Sequence, residues 1–231
     1  MRQTLLINDG WKFYLNENSK GEDINIPHTW NNLDGQDGGN NYYRGRCRYE
    51  KELPSFDIKP GEQVYLEFEG VHNIADVYIN GTFVSHNECG FSTFRADITK
   101  YLQEKNHLVV YVDNSRTDYT YPQFADFTFF GGIYRSVSLV VVPENHILLE
   151  DNGGCGVRSW TTLKDGVGKV VLHTSICGEG DVTYSLADED GKVVATGRGI
   201  DCELIINNPH LWNGIDDPYL YTLKTNFGDD E

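Results

Sequence analysis

Asp126 stands in a run of aromatic residues, Phe127, Phe129 and Phe130, followed at once by Gly131, Gly132 and an alternating strand that ends at Pro143. A carboxylate accepts hydrogen bonds and aromatic faces cover apolar surface, so residues 125–143 read as a ligand-facing loop held by a rigid strand. A second candidate region is the loop from His28 to Tyr43, rich in Gly and Asn, with Trp30, Asp34 and Asp37. Loops this long are usually functional or mobile. Paired carboxyl groups about 5 Å apart can divide acid/base and nucleophile roles between them. Glu67 and Glu69 share one strand face, but their alternation with Leu66 and Phe68 points to a solvated outer face instead. Cys89, beside Glu88, has no cationic neighbour in sequence to lower its pKa, which leaves a nucleophile role unsupported. The seven histidines show no metal-ligand spacing with Cys, Asp or Glu. No GxSxG, phosphate loop or dinucleotide fingerprint is present.

The elements that must position these groups are strands. Val64, Leu66 and Phe68 alternate with polar neighbours, as do Leu108, Val110 and Val112, and Val137, Leu139 and Val141 repeat the pattern. This period of two predicts strands with one buried face. Asn80-Gly81 predicts a type I′ hairpin, because both residues tolerate positive φ. A short helix is expected at about Ile98 to Gln103, with Asp97 as its N-cap. After Pro143 a second set begins with Val170 to Ile176 and Val182 to Leu186. Asp190-Gly191 then turns into Val193, and Leu204, Ile206, Leu220 and Leu223 follow. The expectation is an all-β chain of two sandwiches, residues 1–145 and 146–231.

The composition agrees with folded domains: 39% hydrophobic and 13% aromatic over 231 residues. Thirty-five acidic against 19 basic residues give a formal charge of -16. That balance makes nucleic acid and anionic membrane poor partners and suits a neutral ligand. Five cysteines, an odd number without CxxC spacing, argue against a disulfide framework and a zinc site. They favour a reducing compartment. The start shows no signal-peptide pattern, so a cytoplasmic location is expected.

Several motifs in order resemble glycoside hydrolase family 2. These are WKFYL at 11–15, IPHTWNN at 26–32, YYRGRCRYEKEL at 42–53 and the long stretch from Val64 to Thr99. NHLVVYVDNS at 106–115, GGIYRSVSLVVVP at 131–143 and NPHLWNGIDDPYLYTL at 208–223 complete the series. The resemblance covers nearly the whole chain. It implies a jelly-roll sugar-binding domain, then an immunoglobulin-like sandwich, with a catalytic TIM barrel expected beyond this chain. The last strand of the second sandwich is expected to be missing too, leaving a sheet edge that invites self-association. Gly-Gly-Ile-Tyr-Arg and the Asn-rich first loop look more like β-galactosidases than glucuronidases or mannosidases.

The resemblance also implies site residues. The family's two catalytic glutamates have no counterpart here, and Asn87-Glu88 only mimics the dipeptide that carries one of them. Asp126 matches the aspartate that reaches from the first domain to the glycone hydroxyls and, in some members, helps hold a cation. Asn31, Asn32, Asn40 and Asn41 are candidate hydroxyl-binding amides. Arg135 is expected in a buried ion pair that steadies the aspartate loop, and Gly131 and Gly132 are expected to supply backbone freedom. His28 is expected to be a structural hydrogen-bonder, and Trp212 to pack at the junction with the next domain. No cofactor is expected in this chain, with Mg2+ or Na+ as the cation of the parent enzyme. Expected partners are a β-galactoside or related oligosaccharide together with the barrel, the parent being a homo-oligomer. Rival readings are a free-standing carbohydrate-binding module, the same fragment of a β-glucuronidase or β-mannosidase, and an adhesin-like sandwich pair.

Overall fold

The computed structural model describes residues 1–34, 42–121, 129–149 and 153–231. It divides into two compact units, Gln3–Val141 and Met1–Arg2 with Val142–Glu231. Both are built almost wholly of strands, as the alternating pattern requires.

The first unit contains β1 (Gln3–Leu6), β2 (Trp11–Tyr14), β3 (Glu22–Ile24), β4 (Arg46–Glu52), β5 (Gln63–Phe68) and β6 (Val71–His72). β7 (Ile74–Ile79), β8 (Thr82–Asn87), β9 (Phe94–Asp97), β10 (His107–Asp113), β11 (Gly132–Ile133) and β12 (Val137–Val142) follow. They form a four-stranded sheet in the order β1-β12-β5-β9, a six-stranded sheet in the order β3-β2-β4-β10-β7-β8, and a short β6–β11 pair. The inward residues of both sheets, among them Trp11, Tyr49, Leu66, Phe68, Val77, Ile79, Leu108, Val110 and Leu139, make one core. This is the jelly roll. β10 follows the expected alternation, with Leu108, Val110 and Val112 buried. β12 does not. All six of its residues are buried, because its second face also carries apolar side chains, Val140 and Val142.

Asn80 (φ 51°) and Gly81 (φ 79°) both take positive φ at the β7–β8 turn, as the dipeptide predicted. The helix expected at 98–103 is reduced to one 3-10 turn, Thr99–Tyr101. Thr99 is tied back to β5 by the Val64 N–H donating to its Oγ1 at 2.9 Å. Asn106 binds both the N–H and the carbonyl of Gln103, so the chain turns away before a second turn can form. Asp97 Oδ1 still accepts from the Thr99 N–H at 2.9 Å.

The second unit contains β13 (His146–Ile147), β14 (Val157–Lys164), β15 (Val167–Thr174), β16 (Ile176–Cys177), β17 (Val182–Ala187), β18 (Val193–Arg198), β19 (Asp201–Asn207) and β20 (Thr222–Phe227). Two three-stranded sheets, β14-β15-β19 and β18-β17-β20, and a β13–β16 pair enclose Ile147, Leu172, Val182, Tyr184, Leu186, Leu204 and Phe227. The Tyr184 hydroxyl is 2.6 Å from Thr174 Oγ1 and donates to the Ile200 carbonyl at 3.2 Å, so the large ring is buried without an orphaned polar atom. Asp165 (φ 51°) and Gly166 (φ 75°) form a second hairpin turn of the Asn80-Gly81 kind, between β14 and β15. β20 lies at the edge of its sheet. Arg2 is held by Asp230, whose two oxygens receive its Nε at 3.0 Å and Nη2 at 2.7 Å.

Candidate functional site

One end of the jelly roll gathers the first loop, the strand β6 and the Gly-Gly turn before β11. His28 N–H donates to the Ile133 carbonyl at 2.8 Å, and Thr29 Oγ1 donates to the Gly131 carbonyl at 2.8 Å. These bonds lock residues 28–31 alongside 131–133. Asn31 is fully buried at the centre. Its Oδ1 accepts from the Gly131 N–H at 2.9 Å and from Asn114 Nδ2 at 3.1 Å. Its Nδ2 donates to Asp34 Oδ2 at 2.5 Å and to the Tyr43 carbonyl at 3.0 Å. Both ends of the amide are therefore spent inside the protein, so Asn31 organises the loop rather than offering a group to a ligand hydroxyl. Asp34 closes the same ring by accepting from the Tyr43 N–H at 2.9 Å.

The glycines of the turn matter for space more than for freedom alone. A Cβ on Gly131 would stand 2.4 Å from Trp30 Cζ2 and 2.7 Å from Asn114 Nδ2. Gly132 has φ +133° and would bring a Cβ to 2.5 Å from the His28 carbonyl oxygen. His28 is a structural hydrogen-bonder, its Nδ1 lying 2.8 Å from the Tyr49 hydroxyl, and burial pushes its pKa down.

Asn32 is exposed, and Asn40, Asn41 and Asp126 lie outside the described residues. Phe129 is buried and Phe130 exposed. Arg135 corrects the sequence reading. It is exposed, lies against the Tyr134 ring at 5.5 Å, and forms no ion pair with any described residue. It stands between the buried Ile133 and Val137, with its own side chain turned outward. Glu67 is half-buried and paired to Arg95 at 2.5 Å, while Glu69 is exposed, so the two do not act together. Glu88 bonds His86 Nε2 at 3.0 Å. Cys89 has its pKa lowered without a cation, by hydrogen bonds to Ser92 and the Phe91 backbone. Trp212 is 64% exposed. All five cysteines are unpaired. Among the described residues no group of three His, Cys, Asp or Glu side chains converges as a metal site. Asp126, the candidate ligand for Mg2+ or Na+, lies outside them.

His72 is the residue that sequence reasoning missed. It sits in β6 opposite Gly132, 4% exposed, and neither ring nitrogen has a hydrogen-bond partner. Phe91 and Phe129 flank it at 5.2 and 6.1 Å. Beside it, Asn73 Nδ2 donates to Thr120 Oγ1 at 2.7 Å. Nothing in the local pattern, an imidazole in a strand, distinguishes it from a surface histidine. Burial, reinforced by the charge of Arg44, pushes its pKa down to about 4.

A histidine whose folded pKa lies below its unfolded value near 6.5 contributes stability above that value and loses it as pH falls toward the folded pKa. The jelly roll should therefore lose on the order of 3 kcal/mol between pH 6.5 and 4 through this residue. The difference between wild type and His72→Phe in urea unfolding, followed across that range, isolates it from the carboxylates. Parallel pH profiles for the two proteins would refute the assignment.

The comparisons with known proteins agree with this geometry. The family model "Glycosyl hydrolases family 2, sugar binding domain" matches residues 38–143, and "Glycosyl hydrolases family 2" matches 160–231. A β-glucuronidase of Bacteroides fragilis is 30% identical over 96% of this chain and 35% of its own length. A β-galactosidase of Thermoanaerobacter pseudethanolicus is 29% identical over 94% and 31%. Among solved structures, an FMN-binding β-glucuronidase of Facaelibacterium prausnitzii superposes with a TM-score of 0.92 at 33% identity. It covers 98% of this chain and 37% of that one. The β-glucuronidase of Bacteroides uniformis gives 0.85 at 28%, covering 97% and 30%. The chain thus spans about a third of the length of these relatives. Two domain models in the family's order, over two sandwiches of matching fold, identify the chain as a member of glycoside hydrolase family 2, corresponding to that family's N-terminal sugar-binding and immunoglobulin-like domains.

Proposed function

We propose that this chain is the non-catalytic part of a retaining glycosidase acting on terminal β-D-galactosides, and that it completes the glycone pocket of its parent enzyme. The observation that carries the reading is the locked end of the jelly roll. There Asn31, Asp34, Thr29 and Gly131 bind one another and fix the chain that follows the Asp126 segment in sequence. A carboxylate held on such a frame accepts hydrogen bonds from two hydroxyls of one sugar ring. The paired carboxyl groups that retaining hydrolysis needs are supplied by the barrel of the parent. The parent is a homo-oligomer, and the isolated chain is inactive. β-D-Glucuronides are the second reading, favoured by the names of several matching proteins.

Two assays test this. Asp126→Ala in the whole enzyme should lower kcat/KM by about ten- to a hundredfold, the value of one to two charged hydrogen bonds, with the fold retained. An unchanged rate removes Asp126 from the pocket. Aryl β-galactoside and aryl β-glucuronide, compared on the same enzyme, decide between the two substrates. Turnover of either by the 231-residue chain alone, at the rate of a whole enzyme, would overturn the accessory role.

A further inference from the structure

The outward face of the six-stranded sheet carries an ordered row of side chains that the family match does not account for. In register across five neighbouring strands stand Tyr14, Arg48, Tyr111, Asp76 and His86. Adjacent strands lie about 4.8 Å apart, so these groups form a continuous line across the sheet. The line borders a groove of about 490 Å³ whose floor includes Tyr78, Val109 and Tyr111.

The polar groups of this groove are fixed before any ligand arrives. Arg46 lies over the Tyr111 ring at 4.3 Å and donates from Nη2 to Asp76 Oδ2 at 2.9 Å. Arg48 lies over the Tyr14 ring at 4.1 Å, with Nε 2.9 Å from Glu50 Oε1. Arg48 Nε is close to Glu50 without hydrogen-bond geometry, whereas the Arg46 guanidinium, with five N–H groups in one plane, spends one on Asp76. The others stay available in a set orientation, at little further entropic cost. Tyr78 meets Tyr111 edge-on at 5.7 Å and Phe83 at 5.5 Å, so the rings brace one another as well.

We propose that this groove binds a neutral oligosaccharide. A sugar ring presents an apolar C–H face and a rim of hydroxyls, each able to donate and accept. The groove offers half-exposed aromatic rings, guanidinium donors and the acceptors Asn16 and Glu17, with Asp76 and Glu50 beside its arginines. Its two arginines face Asp76 and Glu50, and Glu17 lines the groove as well, so it holds no excess of positive charge to select a polyanion. It lies on a sheet face, not along a sheet edge, so it offers no edge to an added peptide strand. The assignment does not depend on Asp126 or on the parent's substrate.

Titration calorimetry of the 231-residue chain with a neutral β-1,4-galactotetraose, a cellotetraose and an acidic tetragalacturonate tests it. At least one neutral tetrasaccharide should bind saturably. Arg46→Ala and Tyr111→Ala should each weaken it by about tenfold, the value of one charged hydrogen bond or one stacked ring. Tyr111→Phe, which keeps the ring, should bind nearly as the wild type does. Trp212→Ala, in the other unit, should leave binding unchanged. Thermal melts of each variant separate loss of contact from loss of fold, and Arg46→Ala, a surface change, is the variant that decides if Tyr111→Ala unfolds. No binding of a neutral tetrasaccharide, binding untouched by Arg46→Ala, or a preference for the acidic tetrasaccharide would each overturn the proposal.

Discussion

Asp230→Ala should destabilise the second unit by about 3–5 kcal/mol, the usual consequence of breaking a buried ion pair. The carboxylate is fully shielded from solvent and receives Arg2 through two nitrogens. It also accepts from the Ile147 N–H at 2.8 Å. Removing it leaves the buried Ile147 N–H without a partner and the Arg2 charge with only the Ile147 carbonyl, at 3.1 Å, and these groups carry most of the cost. Arg2→Ala should be as severe from the other side, because it strands the carboxylate. Urea unfolding followed by the fluorescence of Trp160 and Trp212, the tryptophans of that unit, reads the effect. A shift under about 1 kcal/mol would show the pair to be neutral. The double replacement Arg2→Met/Asp230→Leu should recover part of the loss, since a buried pair and well-packed apolar residues are often equivalent.

Gly132→Ala should destabilise the jelly roll by about 4 kcal/mol, summing backbone strain with an overpacking term. The new methyl would meet the His28 carbonyl oxygen at 2.5 Å and the Tyr49 hydroxyl at 2.8 Å, and φ +133° is a region open essentially to glycine. The His28 carbonyl and the Thr29 Cα, at 3.2 Å, are backbone atoms, which limits relaxation. Gly81→Ala is the matched comparison. It also has positive φ, but nothing lies within 4 Å of a Cβ there, so about 1 kcal/mol is expected. Unfolding monitored through Trp11 and Trp30 should rank the two. Equal effects would mean that φ alone governs the cost and the close approach does not. A tolerated Gly132→Ala should in addition displace the residue 28–31 segment, because the methyl points at its backbone.

Much of the fold was legible because its rules are local. Alternation in β10 and the Asn80-Gly81 turn follow from side-chain period and φ preference, which the sequence displays directly. β12 was only half legible. Val137, Leu139 and Val141 announce a buried face, but nothing in Ser138, Val140 and Val142 tells whether the other face is wet. The helix at 98–103 failed because Asn106, three residues past its end, captures the backbone of Gln103. At the site, Asn31 was found for the wrong reason. Its type suggested a hydroxyl binder, whereas four hydrogen bonds to residues as far away as Asn114 and Gly131 make it a structural hub. Arg135 was misjudged because burial is a property of the assembled sheets, and His72 went unnoticed for the same reason.

The clamp between Arg2 and Asp230 joins residues 228 positions apart in the chain. Arg2 is therefore synthesised 228 residues ahead of Asp230, and the second unit cannot close this clamp until Asp230 has been made. Residues 1 and 2 thus belong to the second unit although they precede the jelly roll in sequence, and excising either unit as one continuous segment would divide this pair.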